Sequence, residues 1–228
     1  MATHLITGAS SGIGAALARA LYERGDTLVL LARNEERAQQ LVAVFPDATT
    51  LVADLEHPES LRASLGERMP ATLDSVLHVA GVVDLGPVSE LPAEVWRRTL
   101  DVNLAAPAEL TRLALPALRA ARGRVVFVNS GAGLNASPSW SAYAASKFGL
   151  RALADALRAE ERGSGVRVTS VFPGRTATPM QQKVHEQEGA EYDEAEWIRP
   201  ESVVTAVLTA LDLPRDADLT DIRVRPGA

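Results

Sequence analysis

The chain has no cysteine, so disulfides, thiolate catalysis and cysteine-ligated metals are excluded, and four scattered histidines leave little else for a metal site. Lysine is almost as scarce. Of 23 basic residues only Lys147 and Lys183 are lysine, the others being arginine, and only three tyrosines occur in 228 residues. No basic block is present and the formal net charge is −6, the reverse of a nucleic-acid binder's footprint. No run approaches the roughly 18 apolar residues of a membrane span, and the opening Met1–Thr7 lacks a signal peptide's charged flank and long apolar stretch. These absences lead to the expectation of a cytoplasmic protein with a small-molecule substrate and no metal, membrane or nucleic-acid partner.

What is present is regular. Hydrophobic residues make up 46% of the chain, enough for one well-formed α/β domain spanning residues 1–228. Short apolar runs recur at Thr3–Thr7, Thr27–Ala32, Thr49–Ala53, Leu73–Val79, Arg124–Asn129, Val166–Phe172 and near Thr220–Val224, with amphipathic segments between them. That alternation predicts an α/β fold: a Rossmann-like, doubly wound parallel sheet of about seven strands with helices on both faces. The first helix places Ile13, Leu17 and Leu21 on one stripe, and Gly25 stands where it should stop. Two stretches break the rhythm, Gly131–Ser141 and the polar Gln181–Trp197 before Pro200; both are expected as loops or lids, with a substrate lid over about residues 178–199.

Directly after the first strand comes Thr7-Gly8-Ala9-Ser10-Ser11-Gly12-Ile13-Gly14, leading straight into the helix. Free backbone N–H groups and the positive end of the helix dipole favour an anion there, and glycines let the backbone approach it closely. The physical candidate is a dinucleotide pyrophosphate, with Ser10 and Ser11 adding hydroxyls. The second strand ends Leu31-Ala32-Arg33. Ala32 offers no carboxylate to a ribose hydroxyl, whereas Arg33 suits a 2′-phosphate, so NADP(H) is the expected cofactor. The alternative is that Arg33 is solvated or pairs with Glu35 or Glu36.

Tyr143 and Lys147 are four apart in a helical segment and share a face. A hydroxyl that exchanges a proton with a carbonyl oxygen as hydride moves needs a pKa below tyrosine's usual ~10. A neighbouring ammonium and an oxidised nicotinamide together could supply the required 2–3 units, about 3–4 kcal/mol. Ser130 follows the strand Arg124–Asn129 and so lies at the carboxyl edge of the sheet, either to fix a substrate oxygen or as an ordinary turn residue or cap. Arg175 is either a receptor for a carboxylate or phosphate or a solvated side chain.

Taken together, Thr7–Gly14, Asp54-Leu55, Ala80-Gly81, Asn103, Ser130, Tyr143-x-x-x-Lys147 and Pro173-Gly174-x-x-x-Thr178 resemble the short-chain dehydrogenase/reductase family, in family order over almost the whole chain. The resemblance implies a tetrad of Asn103, Ser130, Tyr143 and Lys147. In it the tyrosine exchanges the proton, the serine positions substrate, the lysine binds the nicotinamide ribose and the asparagine holds a water. It also implies cofactor contacts from Gly8, Ser10, Ser11, Gly12, Ile13 and Gly14, and from Arg33, Asp54, Leu55, Ala80 and Gly81. Pro173, Gly174, Thr176 and Thr178 would complete that set beside Tyr143 and Lys147.

Residue by residue, Asn103 could equally be a hydrogen-bonded core residue. His78-Val79-Ala80-Gly81 departs from the family's usual Asn-Asn-Ala-Gly; a structural histidine is expected at 78. Apolar faces on Leu104–Ala121 and on the helix Tyr143–Arg162 resemble those through which family members form homodimers or homotetramers. The expected activity is hydride transfer between NADP(H) and a carbonyl or alcohol carbon, in the direction of ketone or aldehyde reduction. Alternatives are a catalytically silent NADP-binding regulator and a 3-oxoacyl thioester reductase; a nucleotide-sugar epimerase would need a larger C-terminal domain. Specificity should reside in Val82–Pro87, Leu134–Trp140 and Met180–Trp197.

Overall fold

Strand residues that are apolar on both alternate sets have no solvent face, so the sheet they form must be covered twice. A computed structural model describing residues 1–227 has that organisation. The strands are β1 (Thr3–Thr7), β2 (Thr27–Ala32), β3 (Thr49–Val52), β4 (Ser75–His78), β5 (Arg124–Val128), β6 (Arg167–Pro173) and β7 (Asp221–Val224). All pair in parallel in the order β3-β2-β1-β4-β5-β6-β7. Each agrees with a predicted apolar run to within one or two residues at its ends.

The alternation sorts side chains between two cores. Leu5, Val29, Leu31, Val76, Val125 and Phe127 face helices α3 (Leu61–Leu65), α5 (Ala106–Ala121) and α6 (Ser141–Glu160). Their neighbours Ile6, Leu28, Leu30, Leu77, Val126 and Val128 face α1 (Gly12–Glu23), α2 (Glu35–Val44) and α8 (Pro200–Asp212). Leu17 and Leu21 of the predicted stripe are fully buried, with Ile13 packed at its edge. Gly25, at φ +80°, ends α1 as expected.

The chain winds outward through β1, β2 and β3, then crosses back to place β4 on the other side of β1. Connections leave β1 and β4 in opposite directions, which opens a crevice at the carboxyl ends of the strands. Register keeps those ends level: Thr7 lies beside both Leu31 and His78. Helix α4 (Ala93–Leu100) runs into α5 through a wide π-type turn, Asp101–Ala105, that carries Asn103.

One expectation needs correction. The polar stretch Gln181–Trp197 is not simply a loop, because α7 occupies Pro179–Glu188. The Thr178 hydroxyl accepts from the Gln181 amide, Pro179 takes the first helical position and Gly189 ends the helix at φ +66°. These start and stop signals were present in the sequence; low apolar content hid them. Of the stretch Gly131–Ser141, Ser141 opens α6 and the rest is irregular apart from a short turn at Gly131–Gly133.

Candidate active site

A cleft of about 920 Å³ runs along the carboxyl edge of the sheet over the β1/β4 crossover. One end is built by the β1–α1 turn. Gly8, at φ +75°, lies so close to the β4 loop that a Cβ there would come within 2.8 Å of the Ala80 nitrogen. A Cβ on Gly14 would stand 2.6 Å from the Gly8 carbonyl carbon. Thr7 fastens the same loops, its Oγ1 accepting from the Val79 and Ala80 amides at 3.0 and 3.1 Å. The turn is thus packed backbone against backbone at the N-terminus of α1.

Along this half lie Ser10, Ser11, Gly12, Ile13, Arg33, Asp54, Leu55, Ala80 and Gly81, all lining the cleft. Arg33 is exposed, and no carboxylate among the described residues pairs with it, Glu35 and Glu36 included. Arg37, one helical turn on, lines the same end and was missed in the sequence; position i+4 to Arg33 was the available signal. Asp54 accepts from the Glu56 amide at 2.9 Å, which shapes the turn after β3.

At the other end α6 brings Tyr143 and Lys147 together, the Lys147 Nζ 5.7 Å from the phenol ring centroid. Both are buried, and Nζ donates to the Val128 carbonyl at 3.2 Å. Burial draws the Lys147 ammonium down to about 8, so it is still charged at neutral pH. Burial pushes the Tyr143 phenol above the ordinary tyrosine range, opposed by the Ser130 hydroxyl beside it. The lowering expected from the sequence relied on the ammonium and an oxidised nicotinamide together; desolvation of the phenolate, which sequence does not show, acts against it.

Ser130 is a cap, as one of the two readings for it has it. Its Oγ accepts from the Ala132 amide at 3.1 Å, capping the short turn, and it also lines the cleft at the phenol. Asn103 is brought near but does not line the cleft. Its amide accepts from the Val82 N–H at 2.8 Å and donates to the Val82 carbonyl and the Ser146 hydroxyl at 2.9 and 3.0 Å. Asn129, not singled out in the sequence, donates to the Lys147 carbonyl at 3.1 Å and ties β5 to α6. Pro173, Gly174, Thr176 and Thr178 line the cleft between its two ends. Around the phenol, Val83, Leu85, Ala132, Trp140, Met180 and Val184 form a small apolar cluster, all but Ala132 drawn from the three segments expected to set specificity.

His78 lies outside the cleft. Its ring stacks on Phe127 with centroids 4.9 Å apart, and Nε2 meets the Thr111 hydroxyl at 2.8 Å. Complete burial lowers its pKa to about 3. Below pH 6.5 the unfolded chain therefore takes a proton that the folded chain declines until about pH 3, so stability falls as pH falls through that window. The slope from this residue is about 1.4 kcal/mol per pH unit. Urea unfolding of the wild type and His78→Asn at pH 7.5 and 4.5 should show the wild type losing stability faster; equal losses would show that His78 contributes no pH dependence.

A family model described as short chain dehydrogenase matches residues 2–189. The chain is 36% identical over 188 residues to an uncharacterised oxidoreductase, YciK, of Escherichia coli, covering 77% of this chain and 74% of that protein. Its fold superposes on a Thermococcus sibiricus alcohol dehydrogenase complexed with 5-hydroxy-NADP with a TM-score of 0.85, 25% identity and full coverage of both chains. A short-chain dehydrogenase from Sphingobium yanoikuyae in complex with NADPH gives 0.81 and 30% identity, covering 99% of this chain and 88% of that one.

Proposed function

The chain belongs to the short-chain dehydrogenase family of oxidoreductases, and we propose that it is an NADP(H)-dependent reductase of ketones or aldehydes. The observation that carries this reading is the continuity of one cleft from the unpaired Arg33 to the Tyr143 phenol. A turn packed so closely that neither Gly8 nor Gly14 has room for a Cβ, set at a helix N-terminus, fits a pyrophosphate between those ends.

The cofactor supplies the hydride and the oxidised ring that remains. The β1–α1 turn from Gly8 to Gly14 holds the phosphates through backbone N–H groups, and Arg33, with Arg37 near it, receives the 2′-phosphate. Asp54, Leu55, Ala80 and Gly81 border the adenosine side, while Pro173, Gly174, Thr176 and Thr178 border the nicotinamide side. Lys147 orients the ribose and places positive charge behind the phenol. Ser130 fixes the carbonyl oxygen, and Tyr143 gives that oxygen its proton. Burial favours the protonated phenol, the form a reductase needs at the start of turnover. Asn103 acts by holding the Val82 loop to Ser146 of α6, which is a positioning role.

In this reading the chain is one domain with α7 and the segment to about residue 199 as its lid. It works in the cytoplasm as a homodimer or homotetramer through the outer faces of α5 and α6, where Phe148 is exposed. No helix among the described residues is long and apolar enough to cross a membrane.

The test is fluorescence titration with NADPH and NADH, followed by loss of nicotinamide absorbance over a panel of ketones, aldehydes and acyl thioesters. Wild type is expected to prefer NADPH, and Arg33→Asp to lose at least about tenfold in NADPH affinity, the worth of one charge-assisted phosphate contact. Equal binding of the two cofactors by wild type would remove NADP preference; binding of neither would remove the oxidoreductase reading.

A further inference from the structure

The cleft mouth carries an ion pair that the proposed chemistry does not use. Arg175 follows β6, and its two terminal nitrogens donate to both carboxylate oxygens of Glu188, the last residue of α7, at 2.8 and 2.7 Å. The guanidinium carbon also lies 5.9 Å from the Trp140 ring centroid and 5.5 Å from that of Trp197. Trp140 in turn meets Tyr143 edge-on at 5.7 Å. Arg175 is thus one indole away from the phenol, and both partners of the pair line the cleft.

A guanidinium in this position, within about 6 Å of the centroids of two aromatic rings, has the shape and charge of a carboxylate receptor. Glu188 already fills this fork. Apart from Ser130, the phenol is bordered by the apolar cluster around Val83 and Val184, and the other cation at this end, Lys147, is buried against the Val128 carbonyl. Arg98, farther along the cleft, is paired with Glu56 and Asp84. Beside the phenol the buried Lys147 has no carboxylate partner, but an incoming carboxylate that reaches for the more exposed Arg175 meets the like charge of Glu188.

We propose that Glu188 determines specificity: by occupying the fork of Arg175 it closes the site to carboxylate-bearing substrates such as 2-oxo acids and reserves it for neutral, largely apolar ketones. The proposal rests on the reductase reading of the same site. Arg175 and Glu188 side chains are 35% and 26% exposed, so water screens part of the repulsion. Exclusion is therefore expected in the range of tens-fold, not thousands-fold.

Benzoylformate and its methyl ester present the same aryl ketone and differ by one charge. Wild type should favour the ester in kcat/KM by at least about 30-fold, and the acid-to-ester ratio, in which any general loss cancels, should rise at least about tenfold in Glu188→Gln. Glu188→Ala should behave alike, and the added change Arg175→Met should reverse the gain. Benzoate titrated into cofactor-free protein, read by tryptophan fluorescence, gives an answer without turnover: Glu188→Gln binds it at least about tenfold more tightly than wild type, and the double variant does not. If neither ketone is turned over by any variant, the reductase reading fails while the benzoate titration still decides the role of Glu188. A ratio unchanged by Glu188→Gln, or equal benzoate binding by it and wild type, overturns the proposal.

Discussion

Tyr143→Phe should lower ketone turnover by about 10²–10⁴-fold, the usual contribution of a positioned general acid. The variant keeps the ring that packs edge-on against Trp140 within the apolar cluster, so the fold should hold. What disappears is one hydroxyl beside Ser130, at the apolar end of the cleft. NADPH binding should weaken by no more than one neutral hydrogen bond, about 1 kcal/mol or roughly fivefold. Steady-state rates and fluorescence titration on the same preparation separate the two effects. Turnover that survives in Tyr143→Phe would take the phenol out of the proton path, and loss of cofactor binding with turnover would make it a binding residue instead.

Gly14→Ala should cost about 2–3 kcal/mol of stability, or more, the range of overpacking where nothing can yield. Gly14 sits in helical backbone where alanine is ordinarily preferred, so local propensity predicts a small gain. The added methyl, however, would press into the Gly8 carbonyl group, which is main chain and part of the turn itself. The turn must open, which also spoils the cradle, so NADPH affinity should fall together with stability. Gly66→Ala is the control, since a Cβ there meets nothing within 4 Å, and its effect should stay within about 0.5 kcal/mol. Urea unfolding and cofactor titration check both; a Gly14→Ala protein as stable as the control would mean that the turn is not packed as described.

Much of this could be read without coordinates. Each of the seven strands was visible as an apolar run between breakers, and Tyr143 and Lys147 share a helical face because their spacing alone dictates it. Helix α7 was legible in principle from Thr178, Pro179 and Gly189, but its polar surface lacks the periodic stripe by which helices are usually recognised. Arg37 follows from Arg33 once the helix start at Glu35 is known.

Other features had no local signature. That Arg175 meets Glu188, that Asn103 faces Val82 and Ser146 rather than the cleft, and that His78 lies under Phe127 all join residues distant in the chain. The direction of the Tyr143 shift is the sharpest case. Spacing placed an ammonium four residues away, but only the fold shows that both groups are buried and that burial raises the phenol. By itself the sequence determined the order of elements, the glycine turn and the residues able to do the chemistry, because these depend on periodicity and spacing along one chain. Only the tertiary structure decided which charges are paired, which are dry and which remain open to a ligand, because desolvation is set by every element packed around a group.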